Sequence, residues 1–124
     1  MNPQCKVLVV DDDLDTREAL ASALDDAGFL VEQAASGHEA LSWVESRGAP
    51  DVVLLDLHMP GIGGDEVMRR LRGESCRVIL LTADSSARVL RFALDAKLLQ
   101  KPVGLDELET AVKEACAAGD SAAA

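Results

Sequence analysis

The sequence predicts an α/β domain, a parallel sheet with helices on both faces. Two observations predict it. Short apolar runs, rich in β-branched residues, alternate with stretches in which apolar residues recur at helical spacing. Glycine and proline fall between these segments, where turns are needed. The length, 124 residues, suits a single compact domain.

Each element follows from its residues. Lys6–Val10 is apolar on both faces and reads as a buried parallel strand. Leu20, Ala23, Leu24 and Ala27 then form a helical stripe, with Gly28 as its stop. A weaker strand at Phe29–Ala34 leads to the stripe Ala40, Leu41 and Val44, ended by Gly48. Trp43 falls beside this stripe and reads as partial core. Ala49-Pro50 marks a loop before the strand Asp51–Leu55, and Met59-Pro60-Gly61 marks the next loop. Val67, Met68 and Leu71 form a third stripe, followed by the strand Arg77–Leu81. Val89, Leu90 and Ala93 form a fourth stripe before a weak strand at Lys97–Leu99. Leu105, Leu108, Val112 and Ala115 form the last. The small, polar end has no stripe, so a domain over 1–117 is expected, with 118–124 a flexible tail or the start of a linker.

Composition excludes several classes. Asp and Glu outnumber Lys and Arg by 22 to 12, which argues against direct nucleic-acid binding, because phosphate backbones demand basic residues. At 48% hydrophobic residues the chain is too apolar for disorder. No apolar run approaches the roughly 20 residues of a membrane span, and the N-terminus lacks the basic and apolar regions of a signal peptide. Cys5, Cys76 and Cys116 are widely spaced and form no zinc-binding pattern, so free thiols in a reducing cytoplasm are expected. The negative charge is an average: residues 69–101 carry eight Lys or Arg against three Asp or Glu.

In an open α/β sheet, ligands sit outside the carboxyl ends of the strands. The residues following the apolar runs are Asp11, Asp12 and Asp13, then Asp56, Thr82 and Lys101. Asp13 and Asp15 read best as helix-capping and first-turn residues. Asp11, Asp12 and Asp56 would converge, and a like-charged pair at 4 Å costs about 4 kcal/mol at an effective dielectric of 20. Mg²⁺, a hard cation that takes one or two carboxylates plus water and phosphate oxygens, would relieve this, and so would Lys101. A carboxylate held in this way is a competent nucleophile toward phosphorus. No Gly-rich nucleotide loop is present, so ATP bound in a P-loop is not the expected phosphoryl donor.

The segments Val9-Val10-Asp11-Asp12-Asp13, Val53-Leu54-Leu55-Asp56-Leu57-His58-Met59-Pro60-Gly61, Leu80-Leu81-Thr82-Ala83 and Lys101-Pro102, in this order, resemble the receiver domain of bacterial two-component response regulators, over about Lys6 to Cys116. The resemblance implies a flavodoxin-like doubly wound sheet of strand order 2-1-3-4-5. It implies that Asp56 is the phospho-acceptor and that Asp12 ligates Mg²⁺ directly. Asp11 would bind the metal through water, and the backbone carbonyl of His58 would be a further ligand. Thr82 would be the switch hydroxyl, Lys101 the partner of the phosphoryl group, and the small Ala83 would leave an entry path. It also implies a cis Lys101-Pro102 bond. His58 and Asp84 stand at positions that tune self-dephosphorylation, although a solvent-facing loop role for the His58 side chain competes with this.

The same resemblance implies a histidine kinase or phosphotransfer protein as donor, and an output domain or downstream protein as recipient. Catalysis would be limited to the chain's own phosphorylation and dephosphorylation. The output face would comprise the Val89–Ala93 stretch, the strand after it and the last helix. Arg88 and Arg91 there would suit an acidic partner, or would simply be solvated, and the face could also support a homodimer. Two departures stand out: Leu98 occupies the position of an aromatic switch residue, and Ala93–Lys97 is about one residue short. Two alternatives remain open. A haloacid-dehalogenase-type phosphatase would use Asp11-x-Asp13, although Asp15 stands where Thr or Val is expected. A pseudo-receiver would bind partners without phosphorylation.

Overall fold

The computed structural model describes residues 5–57, 64–71, 75–83 and 97–123, without the side chains of 65 and 118–123. The strands are β1 (Lys6–Val10), β2 (Leu30–Ala34), β3 (Val52–Asp56), β4 (Arg77–Thr82) and β5 (Lys97–Gln100). The helices are α1 (Leu14–Asp26), α2 (Gly37–Arg47), α3 (Gly64–Leu71) and α4 (Leu105–Ala123). His58, the Met59-Pro60-Gly61 loop, Asp84, the Val89–Ala93 stripe with Arg88 and Arg91, and the shortened stretch before Lys97 lie outside the described residues.

The five strands are parallel, in the order β2-β1-β3-β4-β5. This is the doubly wound arrangement expected from the sequence. Successive side chains of a strand point to opposite faces, so the sheet sorts its apolar residues into two layers. Val7, Val9, Leu54 and Leu81 pack with Leu20 and Leu24 of α1 and with Leu108 and Val112 of α4. Leu8, Val10, Val53, Leu55 and Leu80 pack on the other face with Ala40 and Val44 of α2 and with Val67, Met68 and Leu71 of α3. β3, central in the sheet, is buried at all its positions. The chain leaves α1 and α2 through Gly28 (φ 100°) and Gly48 (φ 84°), backbone conformations that L side chains rarely adopt.

α1 begins where the sequence expects it. The Asp13 carboxylate caps the helix by accepting the Thr16 backbone N–H at 2.9 Å, and it also accepts the Thr16 hydroxyl. The hydroxyl bond and then the backbone bond hold the Asp13 carboxyl below its usual value, with smaller attractions from Lys101 and Arg17. Trp43 is half-buried against the α2–α3 layer, with Lys6 and Arg47 over its ring at 5.9 and 5.7 Å.

One expectation is corrected. Cys5 and Cys116 are not free thiols but form a disulfide, with Cα atoms 6.1 Å apart. Cys5 precedes β1 and Cys116 lies on α4, and both pack against the α1–α4 layer, which brings together residues 111 apart in sequence. Cys76 packs on the opposite face, outside this bridge. The backbone of α4 runs on to Ala123, through the stretch expected to be a tail or the start of a linker. Its alanines have the highest helix propensity of any residue and extend a helix already nucleated by packing, without needing a stripe of their own.

Two outcomes are expected. Because the disulfide closes a loop of 111 residues, Cys5→Ser with Cys116→Ser should lower unfolding stability by about 4 kcal/mol, read by urea denaturation under non-reducing conditions. An unchanged midpoint would show that the bridge does not constrain the unfolded chain. Asp13→Ala should lower the melting temperature at neutral pH. The folded-state pKa of Asp13 is depressed, so its contribution is complete above the usual carboxylate range and is lost as pH falls through the depressed value. The gap between wild type and variant should therefore close on acidification, which thermal melts across acidic pH would check.

Candidate functional site

The sheet order determines which residues meet. β1 lies between β2 and β3, so Asp11 and Asp12, just after β1, come beside Asp56, the last residue of β3. β4 ends at Thr82, whose carbonyl accepts the Lys101 N–H at 2.8 Å and thereby ties the exit of β5 to the same edge. The Leu57 N–H donates to the Leu81 carbonyl at 3.1 Å and holds the exit of β3 against β4. The Lys101-Pro102 peptide is cis, as expected. Five residues from four separate points in the chain thus meet at the carboxyl edge of the sheet.

Among the described residues, Asp11, Asp56 and Thr82 are the buried polar or charged ones, at 0%, 5% and 1% exposure. Asp12 is exposed. Ligand oxygens of Asp11, Asp12 and Asp56 all lie within 4.8 Å of one another. The Lys101 ammonium stands between the two buried carboxylates, 3.3 Å from Asp11 Oδ2 and 3.5 Å from Asp56 Oδ1. Burying a carboxylate is costly unless it is paired and hydrogen-bonded, and Lys101 supplies the pairing. The other Asp11 oxygen, Oδ1, accepts the Asp13 N–H at 2.9 Å.

This donor set suits a hard divalent cation. It is all oxygen, it opens to solvent at Asp12, and three carboxylates outnumber the one ammonium between them. Ala83, exposed beside Thr82, adds little bulk at the rim. Leu98 is half-buried and packs with the α2–α3 layer, so the position expected to carry an aromatic switch contributes to the core. His58 and Asp84 belong to the undescribed segments. The phosphatase alternative needs Asp11 as an open nucleophile, whereas this carboxylate is fully buried with both oxygens engaged.

Sequence reasoning missed Arg17 and Gln33. The Arg17 guanidinium donates from Nη1 to the Asp11 carbonyl at 3.0 Å and from Nε to Gln33 Oε1 at 3.1 Å. One signal was available: Arg17 is a cation near the N-terminal end of α1, where the helix dipole favours anions.

Comparison with known proteins agrees with this architecture. The response regulator receiver domain family matches residues 7–113. Response regulator MprA of Mycolicibacterium vanbaalenii is 43% identical over 108 residues, covering 83% of this chain, which spans 46%, about half, of that relative's length. Sporulation initiation phosphotransferase F of Bacillus subtilis is 35% identical over 114 residues, covering 88% of this chain and 91% of that protein. Among solved structures, the chemotaxis protein CheY4 of Vibrio cholerae superposes with a TM-score of 0.84 at 29% identity, covering 91% of this chain and 99% of that one. A CheY-like receiver domain protein of Methanospirillum hungatei gives a TM-score of 0.88 at 26% identity, covering 96% and 98%. A family match from Val7 to Lys113 takes in all but the first residue of the five strands, the start of every described helix, and the acidic edge as well: the chain belongs to the response regulator receiver domain family.

Proposed function

We propose that this chain is a phosphorylatable switch in a two-component phosphorelay, with Asp56 as the phospho-acceptor. The observation that carries the reading is the meeting of Asp11, Asp12, Asp56 and Lys101 at the carboxyl edge of the sheet. Asp11, Asp12 and Asp56, with the backbone carbonyl of His58, would hold Mg²⁺. When bound, the cation neutralises charge on the transferring phosphoryl group.

Asp56 supplies the attacking oxygen. An O–P bond forms as the N–P bond of a phosphohistidine breaks, and the electron pair of that bond goes to the departing imidazole nitrogen. The donor is a histidine kinase or a phosphotransfer protein. Lys101 already lies 3.5 Å from Asp56 and is placed to pair with a phosphoryl oxygen. The Thr82 hydroxyl donates to another, and Ala83 leaves the approach open. His58 and Asp84 tune dephosphorylation. Drawing Thr82 and Lys101 toward the phosphoryl group biases the β4–β5 edge and the start of α4, and so the face offered to a downstream protein, an output domain or a second copy of the chain. Leu98 responds as part of the core and not as a rotating aromatic. We place the chain in the cytoplasm, although the Cys5–Cys116 bridge is a pairing that a reducing compartment disfavours, and it would neither insert in a membrane nor bind nucleic acid directly.

Incubation with acetyl phosphate and Mg²⁺ should add one phosphate by intact-mass spectrometry. Chelation of Mg²⁺ with EDTA should abolish the labelling, and Asp56→Asn should eliminate it in a chain that remains folded by circular dichroism. Labelling that survives Asp56→Asn would refute the assignment. A wild-type chain that never labels would instead be a pseudo-receiver.

A further inference from the structure

Arg17 has no place in the chemistry above, yet its position is odd for a surface arginine. It lies near the start of α1, where a cation opposes the helix dipole and an anion would be favoured. It is half-buried, and its guanidinium makes two directed bonds to two different segments. Nη1 donates to the Asp11 main-chain carbonyl at 3.0 Å, and Nε donates to Gln33 Oε1 at 3.1 Å. Gln33 lies on β2 and pairs in register with Val9 of β1, one residue before the strand end.

These bonds act on the acidic loop. The Asp11 N–H is held by the Ala34 carbonyl at 3.2 Å, and the Asp11 carboxylate by the Asp13 N–H and Lys101. The Asp11 carbonyl belongs to the peptide that leads into Asp12, and Arg17 fixes that peptide. Asp12 is the exposed carboxylate of the cluster, so its direction depends on the backbone that carries it. Gln33 completes the device by holding the planar guanidinium in the orientation that reaches Asp11.

We propose that Arg17, oriented by Gln33, is a positioning residue for the divalent-cation site: it fixes the Asp11–Asp12 peptide and so aims the Asp12 carboxylate at the ion. This rests on the reading of the acidic cluster as a cation site. Charge alone makes the opposite prediction, because removing a guanidinium near the cluster lessens repulsion of the ion and should tighten binding. Positioning predicts weaker binding, as for residues that orient metal ligands elsewhere. The sign of the change therefore separates the two.

The test is titration with Mn²⁺ alone, followed by electron paramagnetic resonance of the free ion, at one ionic strength. Wild type, Arg17→Ala, Arg17→Lys and Gln33→Leu would be compared, with circular dichroism of each. The expected result is binding about tenfold weaker in Arg17→Ala. Arg17→Lys keeps the charge without the fork and should weaken binding too. Gln33→Leu leaves every charge in place, and a smaller loss, about threefold, is expected. Unchanged or tighter binding by folded Arg17→Ala, beside a wild type that binds, would overturn the positioning role and leave the phosphorelay reading standing. Wild type that fails to bind Mn²⁺ would overturn both. Should Arg17→Ala fail to fold, Gln33→Leu decides: weakened binding supports the role, and wild-type affinity overturns it.

Discussion

Asp11 and Asp56 are buried carboxylates at neighbouring strand ends, and the Lys101 ammonium between them makes that burial tolerable. A lone buried carboxylate costs several kcal/mol, and two side by side add their mutual repulsion. One lysine within 3.5 Å of both offsets most of this while leaving the cluster short of positive charge. That residual deficit is the kind of charge imbalance a hard divalent cation relieves, and the cluster opens to solvent at Asp12. Much of the surrounding backbone serves to keep Lys101 there: its N–H is bonded to the Thr82 carbonyl, and the peptide that follows leads through Gly104 into α4.

The two hydrophobic layers give this edge its rigidity. β3 is buried along its whole length, so Asp56 at its end is carried on a strand packed on both faces. α1 is bonded to the loop before it at both the Asp13 carboxylate and the Asp11 carbonyl, so the acidic loop is gripped by the helix it introduces. α4 is fastened past its middle by the Cys5–Cys116 bridge, at the opposite end of the sheet from the acidic edge. The start of α4, by contrast, lies beside the site, four residues after Lys101. Leu98 fits the same picture: packed with the core, it couples β5 to the α2–α3 layer through apolar contact.

Most of the fold was legible in the residues because its signals are local. Strands with two buried faces need continuous apolar runs, and helices on a sheet need a stripe, so β1 and the stripes of the four described helices could be read in order. Glycine at Gly28 and Gly48 marked the exits because positive φ is costly for other residues. The candidate site was legible for a related reason: in this architecture function gathers at strand ends, so each chemical residue stands directly after an apolar run. The C-terminal alanines carry no stripe, yet helix propensity needs no periodicity to act once packing has started a helix.

By itself, then, the sequence determined which segments are strands and helices, and which carboxylates, hydroxyl and lysine stand at the strand ends, since those properties depend on neighbours within a few residues. Tertiary structure decided what depends on distant partners. It put Cys5 within bonding reach of Cys116, turned Leu98 into the core, and placed Lys101 between Asp11 and Asp56. It also joined Gln33 through Arg17 to the Asp11 carbonyl. Each of these pairings is a long-range meeting enforced by sheet order and register, and no local periodicity carries that information.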